Sequence, residues 1–389
     1  MKALKWVITL LTLLVAVMTT PVSVAAAETP LPDTESVTMP PAYTSLPDVI
    51  PPELEALLPD GLFSEDMEDA LTATTELTDW RYLLNALASA VGLGLEDTVG
   101  LLCVLVGLIL LAAVCGRLRE GLGGSGGEIL SFCLKLTVYT AIVLQTAGAV
   151  EVVRTYFDRL MTLTGGMIPV MGTLYALGGN LGRAAVSGEL MLVFLGVCQY
   201  VSATVTPPLC AICASFSLMD ALGTRLTLAP LCEQIKRWYA SLLGLVMFLL
   251  TLALSTQSAL VGRADTLGMR GIKYAVGNAI PVVGGAVAGT LSAVGAGLEL
   301  LRGVCGVAGI VLVALLLLPT LVRLLLLRAT LRLTATIAAM LSCDGEAKLL
   351  GDMASLYGYL AAAVSICSVT FVFALGLLIH SGTGWGESK

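Results

Sequence analysis

Residues 277–297 read GNAIPVVGGAVAGTLSAVGAG, an uncharged, glycine-rich stretch with one proline that lies between two long apolar segments. Backbone this loose, if it sits at membrane depth, persists only where it is buried in protein or lines water, because lipid cannot satisfy its peptide groups. The stretch has a counterpart upstream. GGMIPVMG at 165–172 matches GNAIPVVG at 277–284, and Pro281 follows Pro169 by 112 residues. The same offset carries Gly172 to Gly284, Pro207 to Pro319 and Gln145-Thr146-Ala147 to Gln257-Ser258-Ala259, with no gap inserted.

Several matches at one spacing read as an internal duplication. Each unit comprises a spanning helix, a surface stretch, an Ile-Pro-Val-x-Gly segment, a second spanning helix and a terminating proline. The two units cover about 129–237 and 238–350, and two crossings per unit make them parallel. In transport folds such repeats place interrupted helices at the repeat interface. Gly165, Gly166, Pro169 and Gly172 in the first copy, and Asn278, Pro281, Gly284, Gly285 and Gly289 in the second, are thus candidates for paired re-entrant or broken helices that line a pathway. The alternative makes these glycines small contact points where helices approach closely, within one chain or between two copies.

Composition agrees with a membrane setting. Of 389 residues, 57% are hydrophobic and 13% charged, and the mean hydropathy is +0.92. This places the chain among polytopic membrane proteins and excludes a soluble enzyme. The net charge is −7, and no basic stripe is present to neutralise phosphates, so nucleic acid is not an expected partner.

Residues 1–27 have the pattern of a secretory signal: Lys2 and Lys5, an apolar run from Trp6 to Met18, and small residues before Ala26 and Ala27. An uncleaved anchor helix is the alternative. Residues 28–97 form an acidic arm that cleavage would leave outside the cytoplasm. It begins with a stretch rich in Pro, Thr and Asp and continues with helical spacing at Leu54, Leu57, Leu58 and Leu62, then at Leu83, Leu84 and Leu87.

A spanning helix needs about 20 mostly apolar residues. Six segments qualify, at about 98–115, 129–150, 187–206, 238–260, 303–322 and 354–379. The fold class expected is therefore all-α and polytopic, with a membrane domain over 98–380 and a short tail at 381–389. Arg117, Arg119, Arg225, Lys236, Arg237, Arg323, Arg328, Arg332 and Lys348 fall on the side assigned to the cytoplasm and the acidic arm holds only Arg81, while the external loops still carry Arg154, Arg159, Arg183, Arg263, Arg270, Lys273 and Arg302.

Other motifs carry little chemistry. CAIC at 210–213 has redox spacing, but thiols in apolar surroundings behave as inert small hydrophobes. The single histidine, His380, rules out a Ser/His/Asp constellation within the spans and leaves a zinc site short of ligands. GGSGG at 123–127 lacks the Lys-Ser/Thr of a phosphate loop. Glu189 and Glu299 lie at helix ends and do not form a proton relay. No cofactor, metal or catalytic residue is expected. Gln145 and Gln257, one per repeat, can bind across helices or line a polar path. Arg323, Arg328 and Arg332 among leucines suggest a basic amphipathic helix on the inner membrane face, open to lipid or to a cytoplasmic partner such as a motor protein.

The run KYAVGNAIPVVGGAVAGTLSAVGAGLELLRGVCGVAGI (273–310), the signal, the acidic outer arm and GGMIPVMG together resemble the stage III sporulation protein AE family of endospore-forming bacteria. The resemblance implies a multipass protein of the mother-cell membrane around the forespore. It also implies partners: sister membrane proteins of the same operon, a cytosolic ATPase and a forespore membrane protein, joined in a secretion-like channel that sustains the forespore and its late gene expression. No catalytic residue comes with it. Two other classes stay open at this stage: an autonomous secondary transporter of a small solute, and a thiol-electron carrier that uses Cys210 and Cys213.

Overall fold

The computed structural model describes residues 58–59, 61–64, 66–78, 80–122, 125–177, 192–222, 228–279 and 284–380. The signal segment, the proline-rich part of the arm, residues 280–283 with Pro281, and the tail lie outside them. Seven helices follow one another: α1 (Met67–Thr78), α2 (Trp80–Leu122), α3 (Ser125–Leu177), α4 (Leu192–Ala221), α5 (Ala229–Ala279), α6 (Gly284–Met340) and α7 (Asp344–His380). No strand occurs among the described residues.

Six of the helices contain a segment long and apolar enough to cross a membrane: Thr98–Gly116, Phe132–Leu174, Leu192–Ala221, Ala229–Ala253, Gly303–Met340 and Asp344–Gly376. Each overlaps one of the segments read from hydropathy. At 1.5 Å per residue the 57 residues of α6 extend about 85 Å, well beyond the ~30 Å of a hydrocarbon core.

Burial separates the centre from the rim. Two thirds (67%) of the best apolar windows of α6 and α7 are buried, against 17–29% in the other four. The antiparallel pair α6–α7 is thus the core, with α2 and α3 against α6, and α4 and α5 against α7. Val311 to Leu317 of α6 are buried without interruption, which is why that segment is apolar on every side. The peripheral helices turn large apolar side chains outward, among them Val104 and Leu111 on α2, Phe132 and Leu144 on α3, and Trp238 and Phe248 on α5. Such faces suit lipid or a second membrane protein.

The turn between the central helices is built locally. Ser342 takes φ 62°, and the Cys343 N–H reaches back to the Ala338 carbonyl at 2.9 Å, closing α6 with a Schellman-type cap. Asp344 and Glu346 then lie in the first turn of α7, where the helix dipole favours negative charge.

The upstream Ile-Pro-Val segment is neither re-entrant nor broken. Gly165, Gly166, Pro169 and Gly172 lie inside α3, which runs on to Leu177. Pro169 deprives the carbonyl of Gly165 of its donor, and both residues are exposed, so the helix absorbs the loss at its surface. The downstream copy sits differently: Asn278 is in the last turn of α5, and Gly284, Gly285 and Gly289 open α6. The 112-residue offset pairs α3 with α5 and α4 with α6, yet α6 is central and α4 peripheral.

Candidate functional site

Polar side chains inside the bundle converge on α7. Its residues Lys348, Asp352, Ser355 and Tyr359 recur at helical spacing and form a stripe toward α4 and α5. Lys348 Nζ lies 3.3 Å from Asp220 Oδ2 of α4, whose side chain is fully buried. The same carboxylate accepts the backbone N–H groups of Leu228 and Ala229 at 2.6 and 2.7 Å, capping the start of α5. Lys236 of α5 is 1% exposed, and its Nζ donates to Ser355 Oγ at 2.6 Å and to the Asp352 carbonyl at 3.3 Å. Tyr359 donates to Glu233 Oε2 at 3.3 Å.

On its other side α7 meets α3. Tyr357 OH donates to Thr146 Oγ1 at 3.3 Å, and Tyr156 OH pairs with Ser368 Oγ at 2.7 Å. All four residues are buried. Two glycines let neighbours reach the helix: a β-carbon at Gly345 would stand 2.8 Å from the Ala221 carbonyl oxygen, and one at Gly358 would stand 2.6 Å from Arg328 Nη1.

A second feature lies on α4, where Val201–Val205 form a π-helical turn. Pro207 and Pro208 withhold two successive N–H groups, and the widened turn lets both the N–H and the hydroxyl of Thr206 bond the Val201 carbonyl. The Thr206 hydroxyl also meets Tyr239 OH at 3.0 Å. Beside this turn is a narrow recess lined by Phe157, Cys198, Thr206, Tyr239, Leu360 and Cys367, among others.

The residues singled out from sequence are dispersed. Gly165 and Gly172 have open space where a β-carbon would be, so neither is a close-contact point among the described residues. The contacts in that segment come from its bulky members, Met167, Val170 and Met171, and the Met167 methyl occupies the space left by Gly309 of α6. Gln145 is half-buried, and Gln257 lies on α5. Arg323 and Arg332 are exposed, but Arg328 is a correction to the basic surface read from sequence. It is 6% exposed, because the missing side chain at Gly358 opens a seat for its guanidinium inside the bundle.

The CAIC thiols do not pair with each other. Cys210 and Cys213 are both buried, Cys213 beside the buried Cys232 of α5, and all ten cysteines are free thiols. Among the described residues no group of His, Cys, Asp and Glu could hold a metal ion.

Lys236 and Asp352 escaped the sequence reading. Lys236 passed as a loop flank, and Asp352 stands just outside the segment 354–379. The i, i+4, i+7, i+11 stripe on α7 was the available signal, hidden by the strongly apolar background.

Comparison with known families decides the identity of this bundle: the pattern of the family described as stage III sporulation protein AE matches residues 63–382. The chain belongs to the stage III sporulation protein AE family. A relative of that name from Bacillus subtilis (strain 168) is 22% identical over 280 residues, which cover 71% of this chain and 70% of the relative. No solved structure matches. The family match takes in all six apolar helices and the whole polar stripe of α7. This stage III sporulation protein AE family member therefore acts in sporulation, as a protein with six helices able to span a membrane.

Proposed function

We propose that the protein is a non-enzymatic, multipass subunit of a secretion-like channel complex between mother cell and forespore. It sits in the mother-cell membrane with its acidic arm, residues 28–97, outside the cytoplasm once the signal segment is removed. The observation that carries this reading is the family match over 63–382, which includes all six helices able to cross a membrane among the described residues.

The architecture supports it. A central pair of helices tied to its neighbours by buried polar bonds makes a rigid frame, while α2, α3 and α5 present broad apolar faces that sister membrane subunits can cover. Exposed Arg323 and Arg332 supply a basic surface for a cytosolic ATPase or for lipid headgroups.

The test is to isolate the tagged protein from sporulating cells in mild detergent, then to reconstitute it alone in vesicles. Co-purification of other sporulation membrane proteins, with no solute movement by the isolated chain, is the expected result. Robust solute flux by the chain alone would make it an autonomous transporter and overturn the reading.

A further inference from the structure

We propose that Arg328 and Arg332 of α6, at the seam between α6 and α7, form a binding site for the phosphate of an anionic phospholipid headgroup. This goes beyond the channel reading and rests only on the chain lying in a membrane.

Arginine keeps its charge in proteins, so a buried guanidinium is satisfied only by an acceptor and never by losing a proton. Arg328 lies within the apolar segment Gly303–Met340 and is 6% exposed. Its Nη1 is buried with no hydrogen-bond partner, and no ion pair joins Arg328 to an acid among the described residues. Arg332, four residues on and exposed, lies on the same face of the helix and brings a second cation instead of a counter-ion. Neighbouring cations with no acid between them repel each other, and an anion shared by both removes that cost.

The packing shows where the anion fits. Gly358 fixes the guanidinium against α7, since a β-carbon there would stand 2.6 Å from Nη1. Seven residues earlier on the same face of α7, Gly351 is half-buried and has open space where a β-carbon would be. The seam is thus closed at Gly358 and open at Gly351, and because the helices are antiparallel Arg332 stands between those two levels. On the α6 side Ala329 is exposed, a short side chain that leaves room for a headgroup. Leu333 and Met340 are 52% and 81% exposed and offer apolar contact to acyl chains. Guanidinium groups pair with phosphate through parallel N–H···O bonds, and basic pockets between spanning helices bind lipid headgroups. The apolar side chains beside the arginines favour a phosphate carried by lipid over a free one.

Native mass spectrometry of the full-length protein, released from detergent containing phosphatidylglycerol or phosphatidylcholine, tests the proposal. The wild type should retain phosphatidylglycerol in preference to phosphatidylcholine, and excess inorganic phosphate should not displace it. Arg328→Gln should weaken that retention about tenfold or more, as expected for loss of a charge-assisted hydrogen bond. Arg332→Gln, at an exposed position, should weaken it as well, which decides the matter even if Arg328→Gln fails to fold. Arg323→Gln is the control: Arg323 is exposed but lies about 140° around α6 from Arg328, so its loss should leave retention unchanged. Equal losses for Arg323→Gln and Arg332→Gln would reduce the effect to general surface charge. Equal retention of the two lipids would leave the arginines to an acidic protein surface, and displacement by phosphate would make the ligand a free anion. Each of these three results overturns the proposal. Since the purified chain alone is measured, none of them bears on the channel reading.

Discussion

The guanidinium of Arg328 on α6 lies against the Cα of Gly358 on α7, where a β-carbon would stand 2.6 Å from Nη1 and 2.7 Å from Cζ. Arg328 Nη1 has no hydrogen-bond partner among the described residues, and it fills the space that the glycine leaves. Gly358→Ala should therefore push the guanidinium, the flexible end of a long side chain, out of its seat at a cost of about 1 kcal/mol, the low end of overpacking. Gly351→Ala on the same helix has open space around the new methyl and should be neutral or mildly stabilising through helix propensity. Thermal unfolding of the two variants in detergent compares them directly, and equal stability would remove the steric account.

The bond between Tyr156 and Ser368 joins α3 to α7 where both residues are almost wholly buried. Tyr156→Phe should cost about 1–2 kcal/mol, the worth of a hydrogen bond whose remaining partner stays buried. Ser368 also donates to the Val364 carbonyl, so Ser368→Ala removes two bonds. A double-mutant cycle should show coupling of about 0.5 kcal/mol or more. Strict additivity of the two single effects would mean that the contact contributes nothing.

Asp220 serves three partners at once: Lys348 Nζ and the backbone N–H groups of Leu228 and Ala229. Asp220→Ala should cost about 1–2 kcal/mol, because it removes the carboxylate that caps the start of α5 through two backbone N–H groups, while the ion pair to the exposed Lys348 adds little. Lys348 is partly exposed, so Lys348→Met should be the milder change. Chemical unfolding midpoints order the two, and a Lys348→Met variant worse than Asp220→Ala would contradict this division of roles.

Ser342 carries φ 62° at the end of α6, a left-handed conformation that costs a residue with a β-carbon about 1 kcal/mol. Ser342→Gly should therefore stabilise the protein slightly, by up to about 1 kcal/mol, less the extra chain entropy of glycine. A lower melting temperature for Ser342→Gly would show that the serine side chain has a role of its own in the turn.

Length and apolarity alone were enough to determine that the chain is helical and that six of its segments can cross a membrane. About 20 apolar residues in sequence have few other stable states in lipid. The runs around Ile-Pro-Val, with the signal and arm, carried the family resemblance, since such marks are local in the chain. Which helices are central was not legible. The segments at 98–115 and 303–322 are both strongly apolar, yet one covers the rim and the other fills the core, because hydropathy cannot distinguish contact with lipid from contact with protein. Nor could a proline in GGMIPVMG tell whether its helix breaks; that depended on whether the orphaned carbonyl faced outward. The polar interior was decided by tertiary structure most of all. Lys236, Asp352 and Arg328 look like flanking charges along the chain, and only the docking of α5 and α6 on α7 turns them inward.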